Sequence, residues 1–244
     1  MKGVPSEYFA RVRFDKYTQN RLIDHLLSVD GYCSVVTPNV DHVIRANRDE
    51  DILKLYLDAD ISINDSRILN LLSRKKNIDL GDVIPGSDLT KAIFERLAGS
   101  SVPITIIGAS DETVTVVKDT YNLSRVSHYN PPMGFIKDET EVGKCLDFMK
   151  NSKGEIFFLA IGSPRQEIIA KKAKERGMEG VFLSIGASLL FLSGEERRAP
   201  QIFQKLSLEW LFRLCQSPRR LAKRYLVDGL AILPLFLKEP RRKG

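Results

Sequence analysis

The chain has 244 residues, 43% hydrophobic and 28% charged, enough apolar material for a buried core and incompatible with a disordered polyelectrolyte. Its three cysteines, Cys33, Cys145 and Cys215, lie far apart without a CxxC pair, which excludes a disulfide scaffold or zinc ribbon and fits a reducing cytoplasm. The net charge of +6 is uneven: residues 197–244 hold 12 Lys and Arg against 3 acids, a balance of +9, while residues 1–196 hold 25 against 28, a balance of −3.

Residues 1–14 contain no apolar run of signal-peptide length. From there, short β-branched apolar runs predict strands over residues 10–14, 33–37, 61–64, 102–107, 125–129, 156–161 and 181–185. Helical patterns fill the intervals at residues 41–47, 66–75, 87–97, 112–121, 139–151 and 164–176. This alternation predicts an α/β fold, Rossmann-like, with a largely parallel sheet and helices on both faces. Beyond residue 192 the strands stop, and residues 202–216 and 218–238 read as two helices, Pro218 suiting the first turn of the second. Turn residues at Ser193-Gly194 and Ala199-Pro200 divide the chain into a body, residues 1–195, and a basic helical appendage, residues 196–244. The apolar stretch at 226–237 is too short for a bilayer span, which needs ~20 residues, so it reads as an interfacial or packed helix.

Ligands of parallel sheets bind beyond the carboxyl ends of the strands. Four loops fall there: Thr37-Pro38-Asn39-Val40-Asp41-His42, Asn64-Asp65-Ser66-Arg67, Gly108-Ala109-Ser110 and Gly162-Ser163-Pro164-Arg165-Gln166-Glu167. Gly108 and Gly162 suit close approach of a phosphate to a helix start, and equally suit ordinary turns. Asp65 suits a helix N-cap or a general base. Asp58-Ala59-Asp60 has the DxD form of a metal-binding string but precedes its strand, at the opposite end from the loops, and reads as helix-end charge. The three histidines lack ligand spacing, so no metal site is expected. A basic tail calls for an anionic partner: membrane, phosphorylated lipid or nucleic acid.

The ordered segments TPNVDHVIRANRD, ADISINDSRIL, PGSDLT, ITIIGAS, AIGSPRQE, GEERRAP and LSLEWLFRLCQSPRRLAKRY resemble the WecG/TagA/CpsF glycosyltransferase family, from about Thr37 to Tyr225. The resemblance implies an inverting, metal-independent enzyme without a cofactor. Its donor is a UDP-sugar and its acceptor an undecaprenyl-diphosphate-linked saccharide of bacterial surface polysaccharide synthesis. It implies that Asp65 is the catalytic base and that Thr37, Asn39, Gly108, Gly162 and Gln166 contact substrate. It places Arg213, Arg220 and Arg224 at the acceptor diphosphate, on an appendage that holds the protein to the inner face of the cell membrane.

Departures from the family pattern fall at Ser66, Val83, Pro131-Pro132-Met133-Gly134-Phe135 and Leu190, and resemble its exopolysaccharide, GumM-like branch. They favour a hexose donor such as UDP-glucose over UDP-N-acetylmannosamine or its uronate. A nucleotide-binding oxidoreductase would share the sheet but needs a full GxGxxG fingerprint that is missing here. A nucleic-acid module would use the basic tail alone and leave the Thr37, Asp65 and Gln166 loops without a role; no nucleic-acid partner is expected. A homo-oligomer is compatible with the sequence.

Overall fold

The computed structural model describes residues 4–197, 199, 200, 203, 209–216, 218, 222 and 228–242. Six strands form one parallel sheet in the order β4-β3-β8-β7-β5-β6: β3 (Tyr32–Val36), β4 (Ile61–Ser62), β5 (Ile104–Ile107), β6 (Val126–Tyr129), β7 (Ile156–Leu159) and β8 (Gly180–Ser184). The central strands are apolar on both faces, as a sheet covered on both sides requires. Ile104, Ile106, Ile156, Phe158, Val181 and Leu183 pack toward α1 (Gln19–Leu26), α5 (Gly86–Leu97) and α6 (Asp111–Thr120). Ile107, Phe157, Leu159 and Phe182 pack the other way, against α7 (Glu139–Asn151) and α8 (Arg165–Glu175). The period of two along each strand thus builds an α/β/α sandwich. The Rossmann-like α/β expectation is met.

A third core cluster lies beside the β4 edge. It joins α2 (Val40–Arg48), α3 (Glu50–Leu57) and α4 (Arg67–Arg74) to an antiparallel hairpin of β1 (Ser6–Phe9) and β2 (Val12–Asp15). The single strand expected at residues 10–14 is this hairpin. Ala10 and Arg11 both have positive φ, 45° and 68°, so they form the turn rather than strand. Asp15 at the hairpin end accepts from the Ser62 N–H at 2.7 Å, which satisfies a backbone donor on the short edge strand.

The expected helix at 41–47 proves to be the first of two. Asp49 ends α2, and its carboxylate accepts from Asp51 N at 2.9 Å and Ile52 N at 3.2 Å to start α3. Besides α3, the sequence pattern does not predict α1 or α9 (Ser188–Leu192), the latter directly following the β8 loop. In the C-terminal region α10 spans Glu209–Gln216, and a 3₁₀ turn at Gly229–Ala231 leads into α11 (Ile232–Lys238). Ile232 is buried in the hairpin cluster, with Leu235 and Phe236 packed against it. Among the described residues no helix is long and apolar enough to cross a membrane.

Candidate active site at the carboxyl edge of the sheet

Because all six strands are parallel, the loops after β3, β4, β5, β7 and β8 emerge at one edge. The chain leaves β3 toward β4 at one side of the sheet and leaves β5 toward β6 at the other. That divergence opens a crevice over the ends of β8 and β7 between them. Backbone hydrogen bonds stitch the loops together: Asp65 N donates to Pro38 O at 3.2 Å, Ile84 N to Asn64 O at 2.8 Å and Ile185 N to Leu159 O at 3.1 Å.

Asp65 is not the helix cap. Ser66 caps α4, its Oγ accepting from Leu69 N at 3.2 Å. The fully buried Asn64 accepts from Ser66 N at 2.9 Å. Capping is therefore done on either side of Asp65, and its half-buried carboxylate turns across the crevice to accept from Gly86 N at 3.3 Å. Gly86 opens α5 in tight quarters: a Cβ there would lie 3.1 Å from Thr37 Oγ1 and 3.5 Å from Ser188 Oγ. Thr37 and Asp65, from the loops after β3 and β4, thus meet Gly86 and Ser188, the first residues of α5 and α9, at one spot. Thr37 and Asp65 are the residues expected there; Gly86 belongs to the PGSDLT segment of the resemblance, but neither it nor Ser188 is among the expected substrate contacts.

Asn39 caps α2, its Oδ1 accepting from Asp41 N at 3.1 Å and His42 N at 3.3 Å. Gln166 is only 2% exposed. Its Oε1 accepts from Gly186 N at 3.0 Å and its Nε2 donates to Glu167 Oε1 at 3.0 Å. It ties the β7 loop to the β8 loop, a link between residues 20 apart, where the resemblance implies substrate contact.

The two glycine loops differ. Gly108 has φ 92°, and a Cβ would fall 2.7 Å from Ile161 Cγ2 and 2.8 Å from Ala160 O, so only glycine fits. The helix that follows begins with exposed Asp111 and Glu112, and Ser110 already caps it at Thr113 N. His128 bridges the Gly108 carbonyl and Asp111, 3.0 Å from each. Gly162, φ 73°, instead has cations near it: Arg165 Nη2 would lie 3.1 Å from its Cβ, and Arg45 Nη1 donates to Ser163 O at 3.1 Å. An anion is better met at the Gly162 loop than beside Asp111 and Glu112.

Asp58 and Asp60 of the DxD string lie away from this edge. Asp58 pairs with Lys171 at 3.2 Å; Asp60 pairs with Lys174 at 3.3 Å and accepts from Ser34 N and Oγ, each at 2.8 Å. A cavity of about 510 Å³ opens on the same amino side, lined by Arg13, Asp15, Tyr17, His25, Cys33 and Asp60 among others. Its size does not make it the reaction site, since parallel sheets gather their loops at the other edge. Among the described residues no three His, Cys, Asp or Glu side chains group as metal ligands. Arg213 falls within α10, but its side chain, like Arg220 and Arg224 as a whole, lies outside the described residues.

A doubly wound α/β body with polar side chains from several loops converging at its carboxyl edge has the build of a ligand-binding α/β enzyme. The family model of the glycosyl transferase WecG/TagA/CpsF family matches residues 7–244, and the chain belongs to that family. It is accordingly a glycosyltransferase of cell-surface polysaccharide biosynthesis.

Proposed function

We propose that this enzyme moves a hexose from a UDP-sugar to an undecaprenyl-diphosphate-linked saccharide, with inversion and without a metal. Asp65 takes the proton of the acceptor hydroxyl as that oxygen forms its bond to the anomeric carbon. The bond from that carbon to the UDP oxygen breaks on the opposite face, and UDP leaves with the electron pair. The observation carrying this reading is the position of Asp65, displaced from capping by Ser66 and turned into the spot shared with Thr37, Gly86 and Ser188. Charge developing on the leaving diphosphate is met at the Gly162 loop, with its backbone N–H groups and Arg165, and by Arg213, Arg220 and Arg224 of the C-terminal region. Gly108 gives the nucleotide a close backbone approach, and Thr37, Asn39 and Gln166 shape the substrate site.

Residues 196–244 serve as the membrane-docking part, on the cytoplasmic side. Supporting this, Leu230, Leu233 and Leu237 are exposed at spacings of three and four residues, which places them on one side of α11 and its leading turn. Lys238, Arg241 and Arg242 follow immediately, the pairing of apolar and basic groups that an anionic lipid surface favours. The test is incubation with a panel of UDP-sugars and a synthetic polyprenyl-diphosphate-sugar, read by mass spectrometry. A product heavier by one hexose supports the proposal. Addition of one N-acetylhexosamine overturns the choice of donor, and absence of any sugar addition overturns the reaction.

A further inference from the structure

Behind the β7 loop lies a buried carboxyl group that the reaction above does not use. Glu167 is 4% exposed, in the first turn of α8. Its Oε1 accepts two hydrogen bonds, from Gln166 Nε2 at 3.0 Å and from the Tyr56 hydroxyl at 3.4 Å. With Tyr56 donating to Glu167, Ser163 Oγ, 3.0 Å from the Tyr56 oxygen, is left to donate to it. Arg45 of α2 holds the same turn from the other side through Ser163 O, and is itself paired with Asp41 at 3.0 Å. Gln166 in turn fixes the Gly186 N–H in the β8 loop. One oxygen therefore joins α3, the Ser163 turn and the β8 loop.

We propose that Glu167 is a positioning residue for the transfer reaction: its carboxyl group latches Gln166 and Tyr56, and through them sets the Gly186 and Ser163 turns that border the substrate crevice. This rests on the carboxyl edge being the transfer site. Three observations support it beyond the hydrogen bonds. First, Tyr56 is 1% exposed, so its hydroxyl needs a protein partner or stays unsatisfied at a cost of about 1–3 kcal/mol. Second, burial pushes the Glu167 carboxyl up from its ordinary value, against the hydrogen bonds and the Arg45 charge that pull it down. A protonated carboxyl still offers Oε1 as acceptor, so the latch does not require an ion. Third, Oε2 has no hydrogen-bond partner among the described residues, and neither has Ser184 Oγ; both residues line a cavity of about 250 Å³ between α3, α8 and the sheet. A carboxyl proton can sit on this free Oε2 without breaking the contacts of Oε1.

The consequence separates two substitutions of similar size. Glu167→Gln keeps an acceptor oxygen for Gln166 and Tyr56. Glu167→Met keeps volume but removes both hydrogen bonds. Hydrogen exchange of the Gly186 amide reads the latch without any substrate. It should quicken roughly tenfold in Glu167→Met and stay near wild type in Glu167→Gln. In steady-state transfer, kcat should fall by about 10²-fold in Glu167→Met with a smaller change in donor KM, because the site is displaced rather than emptied. Glu167→Gln should restore it. Should Glu167→Met fail to fold, Tyr56→Phe removes only the hydroxyl and should still lower kcat by about tenfold, the size of one lost hydrogen bond.

Wild-type kcat and Gly186 exchange in Glu167→Met, or wild-type kcat in Tyr56→Phe, would overturn the latch. So would Glu167→Gln as impaired as Glu167→Met, since charge rather than hydrogen bonding would then be the requirement. A wild-type enzyme inert toward every UDP-sugar would count against the transfer reading, whereas the Gly186 exchange result would still stand for or against the latch.

Discussion

Asp65 and Glu167 show how neighbouring side chains assign a carboxyl group its task. Ser66 takes the capping role that Asp65 would otherwise fill, and Asp65 reaches the crevice. Glu167, in a helix first turn where acids are ordinary, is instead enclosed by Tyr56, Gln166 and Arg45. Because burial raises its folded value above the unfolded one, about 4.3, the folded protein holds a proton that the unfolded chain releases. The stabilising contribution is complete below the unfolded value and is lost as pH rises through the folded value. Glu167→Gln, which does not titrate, should therefore gain stability relative to wild type as pH rises from about 4. Urea unfolding at a series of pH values checks this; a difference independent of pH would contradict the upward shift of the buried carboxyl. The sequence points to Asp65 by its place after an apolar strand, but gives Glu167 only a place in the fourth loop and no role, since its partners Tyr56 and Arg45 are more than a hundred residues away.

At the scale of elements, the turns at the carboxyl edge are where the sequence is least forgiving. Gly108 combines φ 92° with a backbone carbonyl, Ala160 O, 2.8 Å from its would-be Cβ, and backbone directly after β7 cannot withdraw as a side chain can. Gly162 is strained for other residues by φ 73°, but its nearest neighbour is the far end of the flexible Arg165. Both Gly→Ala changes should therefore destabilise, by about 1–3 kcal/mol for the backbone conformation alone. Gly108→Ala should cost more than Gly162→Ala. Thermal unfolding of the two variants measures the order, and a reversed order would contradict the packing at Gly108. Strands were legible because β-branched runs such as ITII at 104–107 follow from burial on both faces. The hairpin was not, because its turn uses Ala10 and Arg11 at positive φ, a conformation that turn-forming residues usually announce. Nor was α3, whose start depends on Asp49 acting as a cap where the pattern showed only more charge.

For the whole molecule, the C-terminal region is tied to the first strands. Ile232 is buried with Phe9, Val12 and Phe14, while Glu239 accepts from Ala10 N at 2.9 Å and Arg242 N donates to Lys76 O at 2.9 Å. These contacts span more than 160 residues and no local pattern could announce them. They hold α11 against the hairpin while Leu230, Leu233 and Leu237 remain exposed. Ile232→Ala should lower stability by about 2–5 kcal/mol through the cavity it leaves. Urea unfolding monitors that loss, and a change within experimental error would show that α11 does not belong to this core. The alternation of strands and helices, and the gathering of Thr37, Asp65, Gly108 and Gly162 at one edge, were readable from the chain because a parallel sheet leaves few arrangements. The joining of that edge through Gly86, Gly186, Ser188 and Glu167 was not, because it arises only when separate loops meet.

The most direct test of the transfer mechanism is the single-turnover rate of Asp65→Asn on the UDP-sugar and lipid-linked acceptor pair that the wild type uses. Asparagine keeps an oxygen to accept from Gly86 N, so the fold should persist, but its amide cannot take the acceptor proton. The rate should fall by about 10²- to 10⁴-fold, the usual contribution of a general base, with an unchanged unfolding transition. Turnover near the wild-type rate in the folded variant would contradict the assignment of Asp65 as the base.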